Sequence, residues 1–189
     1  MNIHQLSVTY MAEQDRILAR VNTTDSEEMR MWLTRRLMLG LWPLLSRLLT
    51  EHLLKLEAAG VALDTADEEL RKMLVDFRKD EFLQHADFDT PYQGHHALPL
   101  GDEPLLVTDV DASPLPNGRL RLSFNERLPG VETPRSFQME MEPRLMQGLM
   151  HLLEQALAQS AWRDGFTAQP APEGGAADEP RPPRRRYLN

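Results

Sequence analysis

Apolar and polar residues alternate along three short stretches near the start of the chain, with the period of a β-strand. Successive side chains of a strand point to opposite faces, so the alternation gathers the apolar residues on one face. The polar residues between the stretches favour tight reversals. The pattern therefore predicts an antiparallel meander with one buried face. Its three strands are Ile3–Tyr10, Arg16–Asn22 and Glu28–Leu33.

A different period begins at Thr34, where leucines recur every three or four residues up to about Ala59. This spacing is typical of a helix that buries one face. The Thr34 hydroxyl can accept a hydrogen bond from a free amide of the first turn, and Gly60 suits the end of the helix. Pro43 lacks an amide hydrogen and is expected to kink or divide the helix. The predicted buried stripe is Leu37, Leu41, Leu44, Leu45, Leu48 and Leu49.

The second half repeats this order of elements. Its predicted strands are Leu105–Val110, Arg119–Asn125 and Ser136–Met141. A helix is then predicted from Pro143 to about Trp162. Between the halves we predict a further helix and an irregular stretch rich in proline and glycine. The helix runs from Ala66 to Gln84, with Leu70, Met73, Leu74 and Phe77 on its apolar side, and the irregular stretch covers residues 85–104.

The two long helices begin with similar sequences. Residues 36–45 read RLMLGLWPLL, and residues 144–153 read RLMQGLMHLL. The shared positions favour a duplicated strand-strand-strand-helix unit, although chance similarity between leucine- and arginine-rich segments is the alternative. A glycine inside a helix costs about 1 kcal/mol relative to alanine. Gly40 and Gly148 at equivalent places therefore predict a close approach of a strand or of the other helix.

These elements predict an α+β protein of two pseudo-repeated units, each a three-stranded antiparallel meander plus a helix, with an extra helix between them. The predicted segments are residues 1–60, 61–104, 105–166 and 167–189, of which the last is a disordered tail and the first three form one compact body. The edges of three-stranded sheets are open. They invite homodimerisation or addition of a partner's strand.

The amino-acid composition excludes cysteine-based sites and argues against a membrane-spanning segment. The 189 residues include no cysteine, which excludes disulfides, thiolate nucleophiles and cysteine-bound metals. The longest apolar run, Leu37–Leu45, has nine residues, far fewer than the roughly 20 that span a bilayer. No signal peptide is recognisable. A cytoplasmic protein without a membrane partner is the expectation.

The charge is unevenly distributed. The chain carries a formal net charge of −8, with −9 on residues 1–166 and +1 on residues 167–189. An acidic body repels phosphates and anionic lipids, so the balance disfavours a nucleic-acid or membrane partner.

Arginines nevertheless gather on the outward face of the predicted sheets, together with one tryptophan. Cations for phosphate and a ring for base stacking are what a single-stranded nucleic acid requires. The alternative is a solvated face held by cross-strand ion pairs with nearby glutamates. The candidate residues are Arg16, Arg20, Arg30, Trp32, Arg119 and Arg121.

The C-terminal peptide combines a charge cluster with two apolar residues on a flexible tether. Prolines reduce the entropy that such a segment loses on docking. It is predicted to bind an acidic groove of a partner or of its own body, or else to serve only for solubility. The predicted contacts are Arg184, Arg185, Arg186, Tyr187 and Leu188.

Other candidate constellations are weak. Imidazoles and carboxylates cluster in the central loop, but their spacing matches no metal motif, and no metal or other cofactor is predicted. Asp109 and Asp111 are more typical of a turn than of a carboxylate pair. No nucleophile elbow and no glycine-rich phosphate loop is present. The loop cluster is His85, Asp87, Asp89, His95 and His96.

We therefore predict a non-enzymatic cytoplasmic interaction or adaptor protein that binds a protein partner through its C-terminal peptide. The alternative is a single-stranded nucleic-acid-binding protein. The tandem order of three strands and a helix is similar to the topology of PUR-repeat and Whirly-type proteins, which bind single strands on their sheets. The similarity is one of element order alone. Each unit here has one strand fewer, and none of their sequence motifs is present.

Overall fold

The first three strands form the predicted antiparallel meander. In the computed structural model, which describes residues 2–58, 68–84, 86–94 and 97–162, they are β1 (Ile3–Met11), β2 (Arg16–Thr23) and β3 (Glu28–Thr34). Burial alternates along β2 and β3, which bury Ile17, Ala19, Val21, Met29, Met31 and Leu33, whereas most side chains of β1 are half-buried.

Helix α1 (Arg35–Ala58) follows β3 directly. The backbone N–H of Leu37 donates to the Thr34 hydroxyl at 3.3 Å, so the predicted cap is confirmed. The helix runs uninterrupted past Pro43, and the proline does not divide it.

Helix α2 (Glu68–Gln84) packs against α1 and α3. Met73 and Phe77, two residues of the predicted apolar side, are exposed to solvent. The predicted first residue, Ala66, and the side chains of Leu70 and Leu74 lie outside the described part of the chain. None of the described helices is both long and apolar enough to cross a bilayer.

The predicted strand Leu105–Val110 is in fact two strands in two different sheets. Leu105–Leu106 (β4) pairs in parallel with β3, while Asp109–Pro114 (β5) begins the second sheet. The chain changes sheets between them, because Val107 N–H donates to Trp32 C=O at 3.0 Å and Thr108 N–H donates to Asn125 C=O at 2.9 Å. The first sheet therefore has four strands, in the order β1-β2-β3-β4, instead of the three predicted.

The second sheet is a three-stranded antiparallel meander of β5, β6 (Leu120–Glu126) and β7 (Arg135–Met141). Helix α3 (Pro143–Ser160) follows, with its proline at the first helical position as predicted. It ends two residues before the predicted Trp162, where Ala161 takes a left-handed conformation at φ 52°.

The two sheets and the two long helices share one apolar core. Helix α3 lies against β1 and helix α1 lies against β5, so each helix contacts the first strand of the other half. Positions 108 residues apart on the two helices are buried alike. The buried pairs are Met38 and Met146, Leu41 and Leu149, Leu45 and Leu153, and Leu49 and Leu157.

The two halves thus share an element order and a burial pattern, while duplication of one ancestral unit remains a hypothesis. The prediction for the two glycines is wrong. A Cβ added at Gly40 or at Gly148 would meet nothing within 4 Å, so neither position marks a close approach of another element.

Candidate functional site

The repeated helix starts line two surface grooves that are related in the same way as the two halves. One groove, of about 560 Å³, lies between α3, β1 and residues 86–93; we call it the covered groove. The other, of about 610 Å³, lies between α1 and residues 106–110; we call it the open groove. Equivalent helix residues line both: Arg36 and Arg144, Leu37 and Leu145, Gly40 and Gly148, Leu44 and Leu152.

Each glycine widens its groove. A side chain at this point would project into the space that Gly40 or Gly148 leaves empty. Four residues later each helix carries a leucine that also lines the groove. A glycine followed by a leucine at this helical spacing, present in both halves, is the sequence signal that could have identified the grooves.

In the covered groove, residues 86–93 form a third wall and are held by amide side chains. The Gln5 side-chain amide donates to the C=O of Pro91 at 3.3 Å and accepts from the N–H of Gln93 at 3.0 Å. The Asn22 amide donates to the C=O of Gln93 at 2.7 Å. Residues 86–93 of the chain are therefore held as one side of this groove.

An aromatic contact supports the same wall. The ring of Phe88 lies 5.0 Å from the ring of His151 on α3. Asp87 stabilises the turn that leads to Thr90. Its carboxylate accepts from the Thr90 N–H at 3.0 Å and from the Thr90 hydroxyl at 2.6 Å. The hydroxyl hydrogen bond is the largest of the effects that lower the pKa of Asp87.

In the open groove no described segment takes the place of this third wall. Its lining is mainly apolar, from Leu37, Leu41, Val107 and Val110. Leu44, predicted to point into the core, is instead 66% exposed on its rim. Because an exposed leucine beside an apolar groove gains from being covered, this surface suits a further chain segment.

One aspartate lines the open groove, and a second is linked to it through an asparagine. Asp109 lines the groove and lies 3.6 Å from a guanidinium nitrogen of Arg127. The Asn125 amide approaches Asp109 at 3.3 Å and the exposed Asp111 at 3.2 Å. Both aspartates belong to β5, so the turn that the sequence favoured here is wrong.

On the first sheet, the predicted arginine face is largely covered by residues from the stretch that joins the two halves. We call this stretch, which includes Tyr92 and Asp102, the connecting segment. The Arg20 guanidinium lies 4.4 Å from the centroid of the Tyr92 ring and donates to the Ser7 hydroxyl at 3.0 Å. Arg30 donates to the C=O of Asp102 at 2.6 Å. Arg16 and Trp32 are half-buried on the same face.

Tyr92 anchors the cover to the sheet. Its hydroxyl lies 3.2 Å from a carboxylate oxygen of the buried Glu28. Burial, followed by the Glu28 charge, raises the pKa of Tyr92 well above its ordinary value. The phenol therefore stays neutral and able to donate.

The remaining predicted arginines belong to the other sheet and form cross-strand ion pairs. Arg121 lies 2.8 Å from a carboxylate oxygen of Glu140, and Arg119 lies 3.3 Å from one of Glu142. The six candidates are therefore divided between two sheets, and these two have the ion-pair partners that the alternative interpretation proposed.

The predicted tail contacts, residues 184–188, lie outside the described residues, but the point where the described chain ends is well anchored. The Trp162 indole donates to the Asp15 carboxylate at 2.5 Å and packs edge-on against Tyr10, with ring centroids 5.7 Å apart. Arg35 donates to the Trp162 C=O at 3.3 Å. The indole hydrogen bond is the largest of the effects that lower the pKa of Asp15. The described chain thus ends beside the start of α1.

No group of three or more histidine, aspartate or glutamate side chains that could hold a metal occurs among the described residues. Three members of the predicted loop cluster, His85, His95 and His96, lie outside that part of the chain.

No known relative defines this site. Comparison of the chain with protein-family models, curated proteins and solved structures found no match.

Proposed function

We propose that the protein is a non-enzymatic interaction module that binds an extended, apolar segment of a protein partner in the open groove. The occupant would lie between α1 and residues 106–110, with its bulky side chains against Leu37, Gly40 and Leu44. A volume of about 610 Å³ falls within the range of binding pockets and accommodates a few side chains.

The covered groove is the observation that carries this proposal. It is built from equivalent helix residues, and residues 86–93 lie against it. The same frame beside α1 has an apolar lining and an exposed leucine. A partner that supplied the third wall would remove that apolar surface from water, which is the main driving force for association.

A pair of leucine substitutions on one helix tests the groove. Leu44→Asp places a charge on the groove rim, whereas Leu39→Asp places it on the same helix outside the groove lining. Both leucines are exposed, at 66% and 45%, so neither change should unfold the protein. We expect affinity purification from the native host to lose a partner with Leu44→Asp and to retain it with Leu39→Asp. Equal recovery in both variants would contradict the proposal.

The C-terminal peptide is the partner contact that the sequence predicts, and its deletion distinguishes two arrangements. If residues 184–188 themselves bind the partner, removing residues 181–189 should abolish co-purification without changing Tm. If the open groove is the contact, the partner should still be recovered after this deletion.

Single-stranded nucleic-acid binding by the arginine face remains the alternative. It has less support, because Arg20 and Arg30 contact Tyr92 and Asp102 while Arg119 and Arg121 contact glutamates. A nucleic acid would have to displace these contacts near an acidic body. Retention on single-stranded DNA that falls steeply with salt and is lost in an Arg30→Ala/Trp32→Ala variant would favour it.

A further inference from the structure

We infer that the occupant of the open groove in the free protein is the C-terminal segment of the same chain, with Tyr187 and Leu188 on the apolar lining. This inference rests on the proposed function, since it requires that the open groove binds a peptide. It names a specific ligand for that groove.

The point of departure of the tail favours this occupant. Trp162 is held against Tyr10 of β1 and against Arg35, the first residue of α1. Thr34, which precedes Arg35, lines the open groove. Because β1 and β4 are the outer strands of one four-stranded sheet, the exit and the groove are separated by three strand spacings, about 14 Å.

The length of the tail is sufficient. Twenty-four residues separate Trp162 from Tyr187. A flexible chain of that length has an end-to-end distance of about 28 Å, twice the distance to be covered. An intramolecular ligand on such a tether has an effective concentration in the millimolar range, so even weak contacts would fill the groove.

The chemistry of the tail also matches. Tyr187 and Leu188 supply bulky apolar groups for the lining around Leu37 and Leu44. Residues 184–186 are three consecutive arginines, and Asp109 is the acidic residue of the groove lining, where it lies 3.6 Å from Arg127.

Disulfide trapping in the full chain tests the inference, and the absence of native cysteine leaves no background thiols. The test variant is Leu44→Cys with Leu188→Cys. The matched control is Leu39→Cys with Leu188→Cys, since Leu39 is exposed on the same helix but does not line the groove. We expect the test pair to form an intrachain disulfide at least roughly tenfold faster under mild oxidation. Replacing residues 184–186 by glutamate should slow it.

Equal trapping rates in the two pairs would overturn the inference. A test pair that forms mainly interchain disulfides would overturn it too, because the occupant would then be the tail of a second copy. Circular dichroism and Tm of the reduced variants establish that both are folded. Loss of the partner in Leu44→Asp together with equal trapping rates would leave the proposed function standing and remove only the tail. If trapping is selective but the partner is unaffected by Leu44→Asp, the tail inference stands, and the partner binds elsewhere.

Discussion

The two halves of the molecule place equivalent helix residues along a groove, but they differ in what lies on the other side of that groove. On each helix an arginine, a leucine, a glycine and a second leucine line a groove beside the first strand of the other half. Beside α3, residues 86–93 form a third wall of that groove, and beside α1 no described segment does. The segment that joins the halves thus creates the difference, and the groove beside α1 keeps two walls.

The outer faces of the two sheets show the same asymmetry. On β3, Glu28 is buried and Arg30 is half-buried beneath the connecting segment. On β7, the side chains at the equivalent positions, Ser136 and Gln138, are exposed. One insertion therefore protects one half and leaves the other open to solvent.

The largest expected effect tests whether the frames are equivalent. Met38 and Met146 occupy matching positions and are completely buried. Met38→Ala and Met146→Ala should each lower the free energy of unfolding by about 2–5 kcal/mol, because each leaves a cavity in a packed core. Urea denaturation measures both. A variant that loses less than about 1 kcal/mol would show that its half contributes little to the common core.

A second pair of substitutions measures how much the contacts to residues 86–93 contribute to the free energy of unfolding. Asn22 is fully buried and holds the C=O of Gln93, whereas Asn125 bridges Asp109 and Asp111 near the surface. Asn22→Ala should cost about 1–3 kcal/mol, since this buried amide accepts from the Gln5 N–H and donates to the Gln93 C=O, and both groups lose that partner.

Asn125→Ala is the matched control and should cost roughly 0.5 kcal/mol or less, because water can replace an exposed contact. Urea denaturation of the two variants gives the difference. Equal losses would mean that the segment at residues 86–93 is not held by Asn22, and the distinction between a covered and an open groove would weaken.

The third effect concerns the junction where the halves join. Glu126 of β6 accepts from Arg135 at 2.9 Å and from the Leu106 N–H of β4 at 2.8 Å. Arg135 also donates to the C=O of Leu100 at 2.9 Å. The hydrogen bond from Arg135 is the largest of the effects that hold the pKa of Glu126 below its ordinary value.

Glu126→Gln should therefore cost about 1–2 kcal/mol at neutral pH, a figure reduced because the Arg135 side chain is 38% exposed. A carboxyl group with a lowered folded-state pKa stabilises the protein above its unfolded pKa, near 4.3, and loses that effect as the pH falls through its folded pKa. Thermal unfolding between pH 7 and pH 3 should show the wild type and the variant converging in acid. A gap that is independent of pH would contradict the ionic interaction.

Much of the fold follows from local pattern. The alternation in β2, β3, β6 and β7 and the cap at Thr34 depend on neighbouring residues alone, and each agrees with prediction. The change of sheet at residues 107–108 was missed, because an apolar run does not reveal which of two sheets it will pair with.

The grooves were missed for a related reason. The helical stripe predicts that Leu44 faces the core, yet Leu44 is exposed while Leu41 and Leu45 are buried. How far burial extends around a helix depends on which element packs beside it. The neighbour of α1 is β5, which is distant in sequence, so the local pattern does not reveal it. The sequence pattern predicted that the arginines share one face of the sheet. It did not predict that this face is covered, because the covering residues lie about 70 positions away in the sequence.

The smallest effect isolates the glycines, which are the residues that the two grooves share most directly. Because a Cβ at position 40 or 148 meets nothing within 4 Å, Gly40→Ala and Gly148→Ala should each raise the free energy of unfolding by about 0.5–1 kcal/mol through helix propensity. Urea denaturation measures both gains. Destabilisation at either position would reveal a close contact and return these glycines to a packing role. Equal gains would mean that glycine lowers helix stability to the same extent at the equivalent positions of both halves. The space that Gly40 leaves open would then be available to a bound segment.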